Sequence, residues 1–456
     1  MAVEESRVSA LNDLNPVAGD SVLYWMQASQ RTRHNAALEL AASRANELSL
    51  PLVVCFGLMD NYPEANARHY AFMLRGLADV HAALTKRGIP FLMRRGQPAD
   101  VALHYGKNAA MIVCDRGYLR HQKQWRDAVA DGAKCRVEQV EGDVVVPVEE
   151  VSEKAEFAAR TIRPKIHRLW DGYVEKLKPV KLRASADALR VRGDIDPSDP
   201  EKLLARLKVD GSVAPVWRLI GGEIEAQRRL EDFIRNRLNG YEQGRNEPSA
   251  DATSAMSPYL HFGQISPVDI AIQVREADVP QCDRDAYLEE LIVRRELGMN
   301  FVHFTPAYDS YQSIPRWARQ TLKSHGKDKR EFTYTRAELE SARTHDPYWN
   351  AAQKEMLLSG FMHNYMRMYW GKKVLEWKRT PEEAYEDLLY LNNRYFICGR
   401  DPVSYSNVGW IFGLHDRPWQ ERKIFGTVRY MNAAGLSRKF EMDAYVRKVN
   451  EMEGAQ

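Results

Sequence analysis

From Ser21 to about Val146 the chain alternates short apolar runs with stretches whose apolar residues recur at helical spacing. SVLYWMQ at 21–27, PLVVCFG at 51–57, PFLMRRG at 90–96 and AAMIVCD at 109–115 are short and rich in β-branched and aromatic residues. Between them, Arg33 to Leu48, Asn66 to Arg87 and Leu119 to Ala130 carry helical periodicity. Strands separated by helices of this length imply parallel pairing, so the pattern predicts a doubly wound α/β domain. In open sheets of that kind a ligand sits at the carboxyl ends of the strands. No GxGxxG follows a strand and no GxxxxGK[ST] occurs, so neither common phosphate-cradling loop marks a site.

Between Leu177 and Trp217, Pro, Gly, Asp and Ser recur at short intervals, which reads as a connecting segment with one short helix. After Leu219 the β signals fade. Glu223 to Leu238, Pro267 to Glu276, Asp285 to Phe301 and Pro381 to Leu391 read as amphipathic helices. The expected organisation is an α/β domain at 1–176, a linker at 177–218 and an all-α domain at 219–456.

The stretch Thr344 to Arg379 holds Trp349, Trp370 and Trp377, three of ten tryptophans. Ser359-Gly360 splits it into two helices, since Gly is favoured just past a helix C-terminus. In one straight helix Trp349 and Trp370 would lie about 31 Å apart, whereas a fold back at Gly360 can bring the two indoles together. Trp370 and Trp377 are two turns apart, so both leave the second helix on one face. Such spacing by itself describes a core. His363, Asn364 and Arg367 interrupt it, and a buried polar group must be paired or must face a ligand. Three indoles beside an inward-facing Arg and Asn suit a redox cofactor refilled by electron hopping.

A chain of 456 residues is too long for one ordinary core. Hydrophobic residues at 44% and charged residues at 28% describe a soluble globular protein. A formal charge of +3 leaves any nucleic-acid surface to local clustering. One cluster stands out: from Leu414 to Phe440, Arg417, Arg422, Lys423, Arg429, Arg438 and Lys439 face only Asp416 and Glu421, interleaved with Trp419, Phe425 and Tyr430. Cations for phosphates and rings for wedging are what a duplex opener needs, although a solvated face looks similar. Five cysteines without a CxxC indicate neither a disulfide framework nor a zinc site, so no metal is expected. With no apolar leader and no run long enough for a bilayer, the expectation is a cytoplasmic protein without a membrane partner.

Several segments carry a resemblance. SAMSPYLHFGQIS at 254–266, EELIVRREL at 289–297, THDPYWNAAQ at 344–353, MHNYMRMYWGKKVLEW at 362–377, LNNRYFICGRDP at 391–402 and VGWIFGLHDRPWQER at 408–422 resemble class II cyclobutane pyrimidine dimer photolyases. EFAARTIRPK at 156–165 and the N-terminal VLYWMQASQR extend the likeness over essentially the whole chain. The resemblance implies an α/β antenna domain, a helical FAD-binding domain, and a carbon–carbon lyase that splits the dimer in DNA by light-driven electron transfer. It also implies a lesion flipped out of double-stranded DNA, a nucleoid-associated location, and a monomer. An antenna chromophore, deazaflavin or folate, is a further implied cofactor. A cryptochrome-type photoreceptor is the alternative, which would keep the flavin and tryptophans but signal to proteins. A long tail would be expected of it, and the sequence ends at Gln456.

Residue by residue, the resemblance places the flavin phosphates at Thr253, Ser254 and Ser257, with Ala255 and Met256 in the same turn and Tyr241 upstream. Asn392 corresponds to the asparagine beside flavin N5, and Arg367 to the arginine beside the isoalloxazine. Asn364, Cys398 and Asp401 complete the implied cofactor set. Glu290 matches the glutamate that reaches the damaged bases, the alternative being a surface pair with Arg294. Trp410 matches an aromatic wall for the flipped dimer, with Met368 and Arg245 at the same pocket. Trp370, Trp349 and Trp377 match the electron-transfer chain, in that order. Arg417, Trp419, Arg422, Lys423, Arg429 and Arg438 are the implied DNA contacts. One position departs from the pattern: Cys398 stands where relatives carry an acid expected to pair with the arginine. Either Asp401 or Asp416 takes over, or the flavin is itself the counter-charge and its potential is shifted.

Overall fold

The computed structural model describes residues 3–454. Six strands form one sheet: β1 Val8–Ala10, β2 Ser21–Trp25, β3 Leu52–Leu58, β4 Phe91–Arg95, β5 Ala109–Asp115 and β6 Arg136–Val140, in the order β1-β6-β5-β2-β3-β4. All pairs are parallel except β1 with β6. Helices α1 Ala36–Leu48, α2 Ala67–Lys86, α3 Pro98–Gly106 and α4 Arg120–Gly132 make the crossovers. Strands β2, β3 and β5 are buried along their whole length, which is why they read as unbroken apolar runs and not as alternation. The four strands and three helices legible from the pattern are present, and the structure adds β1, α3 and β6. β1 is three residues of half-exposed edge. β6 spells RVEQV, and its buried Glu138 is paired by Arg44 and Arg136, so its polar letters hide an inward strand.

The segment 177–218 is irregular apart from a short helix at Pro200–Leu204, but it is not a free connection. Val180, Leu182 and Ile195 pack on one face of the sheet, and Leu189 and Val191 on the other.

The rest of the chain is helical. The elements that shape the site are α5 Gln281–Leu288, α6 Arg295–Phe304, α7 Pro347–Ser359, α8 Asn364–Trp377, α9 Pro381–Tyr395 and α10 Pro402–Ile411. The single helix expected over Asp285 to Phe301 is instead α5 and α6 joined through a π turn at Glu289–Arg294. Helix α7 starts on Asp346, whose carboxylate accepts from Tyr348 N and Trp349 N, and stops at Gly360, which is left-handed at φ 68. Any side chain at 360 would be strained by that backbone and would meet Ile397 at 2.6 Å. The reversal lays α8 back along α7, and the three indoles of Trp349, Trp370 and Trp377 sit in the largest apolar core, each no more than 2% exposed.

Helix α2 ties the sheet to this core. Arg68 donates to the carbonyls of Met356, Leu357 and Tyr395, satisfying acceptors at the C-terminal end of α7 and the end of α9. Among the described residues, no helix is long and apolar enough to cross a membrane.

Candidate cofactor and substrate site

Two adjoining cavities of about 240 and 270 Å³ lie where the π turn, α8 and α10 converge. Glu290, Arg294, Asn364, Arg367, Asn407 and Trp410 line both, so the two form one cleft. Its combined space is in the range of small-molecule cofactor sites.

The π turn decides which acid faces the cleft. With five residues per hydrogen-bonded turn, Arg294 falls beside Glu289, its Nε donating to Glu289 Oε1 at 3.0 Å, and Arg163 closes on the same carboxylate. Glu290 is thereby released to the cleft, where Arg245 holds it at 2.6 Å. The alternative pairing of Glu290 with Arg294 is not formed. Burial alone would lower the pKa of Arg245, but the Glu290 carboxylate raises it. A π turn at a binding site is a common way to re-aim one side chain without breaking a helix.

The first cavity is lined by Tyr241, Ser254, Met256 and Ser257, with Cys398 and Asp401 also in its wall. The turn that presents the two serines passes through Ala255 at φ 52, a left-handed residue without glycine's freedom. Tyr287 donates to Ser254 Oγ at 3.0 Å, and burial pushes the Tyr241 hydroxyl up to about 12. Thr253, just before this turn, and Ala255, within it, do not line the cavity, and the Thr253 carbonyl accepts from Arg237.

The second cavity contains Arg245, Met368, Trp370, Asn392 and Arg429. Asn392 donates from Nδ2 to Asn393 Oδ1 at 2.9 Å and to Ser404 Oγ at 2.8 Å. Asn393 is oriented in turn by Glu64 Oε2 at 2.7 Å and by the Arg400 N–H at 3.0 Å, two contacts that fix which end of each amide is the donor. Arg367 donates to the Met362 carbonyl and to Cys398 Sγ, each at 3.3 Å, and its guanidinium carbon lies 3.8 Å from the centre of the Phe396 ring.

Behind the cleft the indoles follow one another. Trp370 lines the second cavity and donates to Gln353 Oε1 at 2.8 Å. Trp349 donates from Nε1 to the Trp370 carbonyl at 2.9 Å, and its ring lies 5.4 Å from that of Trp377. Beyond Trp377 comes Tyr334 at 5.0 Å, whose hydroxyl is 2.6 Å from Nδ1 of the exposed His345. Tyr334 was invisible to the pattern because it sits in an irregular segment with no periodicity.

At the mouth, Arg429 pairs with Asp416 at 3.1 Å and stacks on Trp419 at 4.4 Å, with Arg417 over the same ring at 5.5 Å. Trp419 is 42% exposed. Arg422 rests on Tyr430, while Lys423 and Arg438 are exposed and outside both cavities. Phe425, expected among the rings available for stacking, is 1% exposed and packs edge-on against Tyr430, so it serves the core.

A third cavity of about 90 Å³ opens at the carboxyl ends of β2 and β3, where the strand rule puts a ligand. Asp115, at the end of β5, shapes its rim by accepting the N–H groups of Gln27, Ala28 and Ser29. Both amide atoms of Gln27, Oε1 of Gln30, and Nε and Nη2 of Arg400 are buried there without a partner. Unpaired buried polar atoms around a cavity are matched by a polar ligand. No group of three or more metal-ligating side chains occurs among the described residues.

The donor set fits an elongated anionic cofactor such as FAD: hydroxyls at one end of the cleft, an arginine without a carboxylate partner in the middle, and buried indoles behind. A sheet-bearing unit joined to a helical unit with such a cleft defines a class of two-domain cofactor-binding folds, and comparison gives the family. Residues 22–181 match the family model described as DNA photolyase. A deoxyribodipyrimidine photo-lyase of Methanothermobacter thermautotrophicus is 48% identical over 450 residues, spanning 98% of each chain. The chain belongs to the DNA photolyase family.

The fold agrees. A bacterial class III photolyase from Agrobacterium tumefaciens superposes with a TM-score of 0.73 at 18% identity, over 95% of this chain and 87% of that one. An archaeal photolyase from Sulfolobus tokodaii, solved with two FAD molecules, superposes with a TM-score of 0.68 at 15% identity, over 94% and 89%.

Proposed function

We propose that this protein is a deoxyribodipyrimidine photo-lyase of the class II kind, which repairs cyclobutane pyrimidine dimers in double-stranded DNA by light. The observation that carries the reading is a single cleft whose lining brings together Arg367 and Asn392, Glu290, Arg245 and Trp410, and the buried indole of Trp370. When bound, photoexcited reduced FAD supplies the electron that opens the cyclobutane ring and receives it back.

The chain's own groups do the rest. Ser254 and Ser257, with the backbone of the left-handed turn at Ala255, suit the cofactor's phosphates. Arg367 supplies positive charge where a reduced ring is negative. Asn392, whose amide N–H groups are held by Asn393 and Ser404, offers the cofactor a neutral carbonyl acceptor. Glu290, fixed by Arg245, can accept the imide N–H of a flipped base, and Trp410 gives that base a flat wall. Trp370, Trp349 and Trp377 form the route by which an oxidised cofactor is refilled. Arg417, Arg422, Lys423, Arg429 and Arg438 meet phosphates, and Trp419 fills the space left by the extruded lesion. The strand-end cavity with Gln27, Gln30 and Arg400 is the place for an antenna chromophore, either deazaflavin or folate.

The test is a binding measurement in the dark on flavin-loaded protein. Duplex DNA with one thymine dimer should bind tightly and quench the flavin, with undamaged duplex much weaker. Equal affinity for both duplexes would favour a cryptochrome-type receptor over a repair enzyme.

A further inference from the structure

The surroundings of Arg367 differ from those of Arg245, Arg294 and Arg429 in the same cleft, each of which meets a carboxylate. Its partners are a main-chain carbonyl, a thiol sulfur and the faces of Phe396 and Phe361, none of which carries a full negative charge. Each nearby carboxylate is engaged elsewhere. Asp401 caps α10 through Val403 N at 2.8 Å and meets His261 at 3.3 Å. Glu290 is held by Arg245, and Asp416 by Arg429 and Trp419 Nε1. Glu355 lies close enough to feel the guanidinium, but its carboxyl accepts from Tyr445 and from His363 N, and burial pushes its pKa up. So neither Asp401 nor Asp416 takes over the missing acid's task.

Position 398 is nevertheless built to receive an acid. Ser257 Oγ donates to Cys398 Sγ at 3.5 Å while Arg367 Nη2 donates to it from 3.3 Å. A carboxylate would accept both bonds and cancel the cation. A thiol accepts them weakly and leaves the cation unspent.

We propose that Cys398 is a positioning residue that keeps Arg367 uncompensated, so that the bound reduced flavin is its counter-charge. This rests on the reading of the cleft as an FAD site. Reducing FAD adds two electrons and one proton, and the ring gains one negative charge. An unpaired guanidinium beside the ring stabilises that product more than the neutral oxidised ring. Cys398 therefore makes the flavin easier to reduce and harder to reoxidise than an acid at the same place would.

The experiment is a dithionite titration of the FAD holoprotein in a spectroelectrochemical cell, comparing wild type with Cys398→Asp, Cys398→Asn, Cys398→Ser and Arg367→Gln. Cys398→Asp is expected to lower the ratio of reduced to oxidised FAD affinity at least tenfold, about 30 mV for a two-electron couple. Arg367→Gln, which removes the same charge from the other side, should shift it in the same direction. Cys398→Asn and Cys398→Ser, both uncharged, should stay near wild type. An unmoved potential in Cys398→Asp, or in Arg367→Gln if the acid variant loses its flavin, overturns the proposal. So does a rise in Cys398→Ser, which would mean that the sulfur is itself the anion. Wild-type protein that takes up no FAD overturns the reading of the cleft instead.

Discussion

The ring of Trp349 packs against that of Trp377 with centroids 5.4 Å apart and planes at 66°, while the Trp349 N–H is held by the carbonyl of Trp370. Trp349 therefore packs its ring on Trp377 and hydrogen-bonds the backbone of Trp370, so the three residues lead from the cleft wall to the half-buried Tyr334. The contact exists because Gly360 reverses the backbone between α7 and α8.

The order of the three indoles can be read in light. Trp370→Phe is expected to abolish photoreduction of oxidised FAD by an external donor, followed by absorbance under blue illumination, and to leave repair by chemically reduced enzyme intact. It also strips the donor from buried Gln353 Oε1, so stability should fall by about 1–3 kcal/mol in urea unfolding. Photoreduction at the wild-type rate would show that electrons enter by another route.

Glu290 and Arg245 should act together on the substrate side. Glu290→Gln keeps the shape and a hydrogen-bonding group but removes the charge held at 2.6 Å by Arg245. Repair per absorbed photon should drop about tenfold or more, while FAD content is unchanged. An unaltered yield would move Glu290 out of the chemistry.

DNA contacts divide by salt. Removing one phosphate contact, as in Arg417→Ala, should lower the slope of log K against log salt by about 1 for any duplex. Trp419→Ala should cost about 1–3 kcal/mol on dimer-containing DNA, where an extruded lesion leaves room for the ring, and little on undamaged duplex. Fluorescence anisotropy at three salt concentrations separates the two effects.

Lys372 gives a pH signature. It is fully buried, its Nζ donates to the Ile411 carbonyl, and burial, only partly opposed by Asp416 and reinforced by Arg429, lowers its pKa to about 7. Between that value and the ordinary lysine range the unfolded chain binds the extra proton, so its contribution to stability increases as pH rises through this window. In urea melts at stepped pH, Lys372→Met should flatten that rise. A wild-type curve no steeper than the variant's would mean that the amine stays charged in the fold.

A second chromophore should depend on the strand-end cavity alone. Gln27→Leu, which replaces an amide whose two polar atoms lack partners, should remove any absorbance beyond that of FAD and leave flavin uptake as in wild type. Loss of both pigments together would tie this cavity to the flavin cleft.

Much of this was legible because it is periodic or local. The buried strands β2, β3 and β5 are apolar on both faces, and Gly360 announces the turn that brings the indoles together. What was not legible depends on partners distant in sequence. Glu138 looks like a surface residue until Arg44 and Arg136 close on it, which hides β6. Nothing local distinguishes Glu289 from Glu290, because the partners that separate their fates, Arg163 and Arg245, are distant in sequence. Phe425 follows basic residues in the sequence, which gives it the look of a surface ring, although it turns inward against Tyr430. Gln27 and Gln30 lie far from Arg400 in the chain, and the three become a site only when α4 and the GRDP turn close over the sheet.

Illumination of the reduced holoprotein with a single-lesion thymine-dimer oligonucleotide tests the central claim most directly, read as the return of thymine ultraviolet absorbance when the bases regain their double bonds. Recovery in light and none in the dark is the predicted result. A protein that holds reduced FAD, binds the lesion and restores no absorbance under light would contradict it.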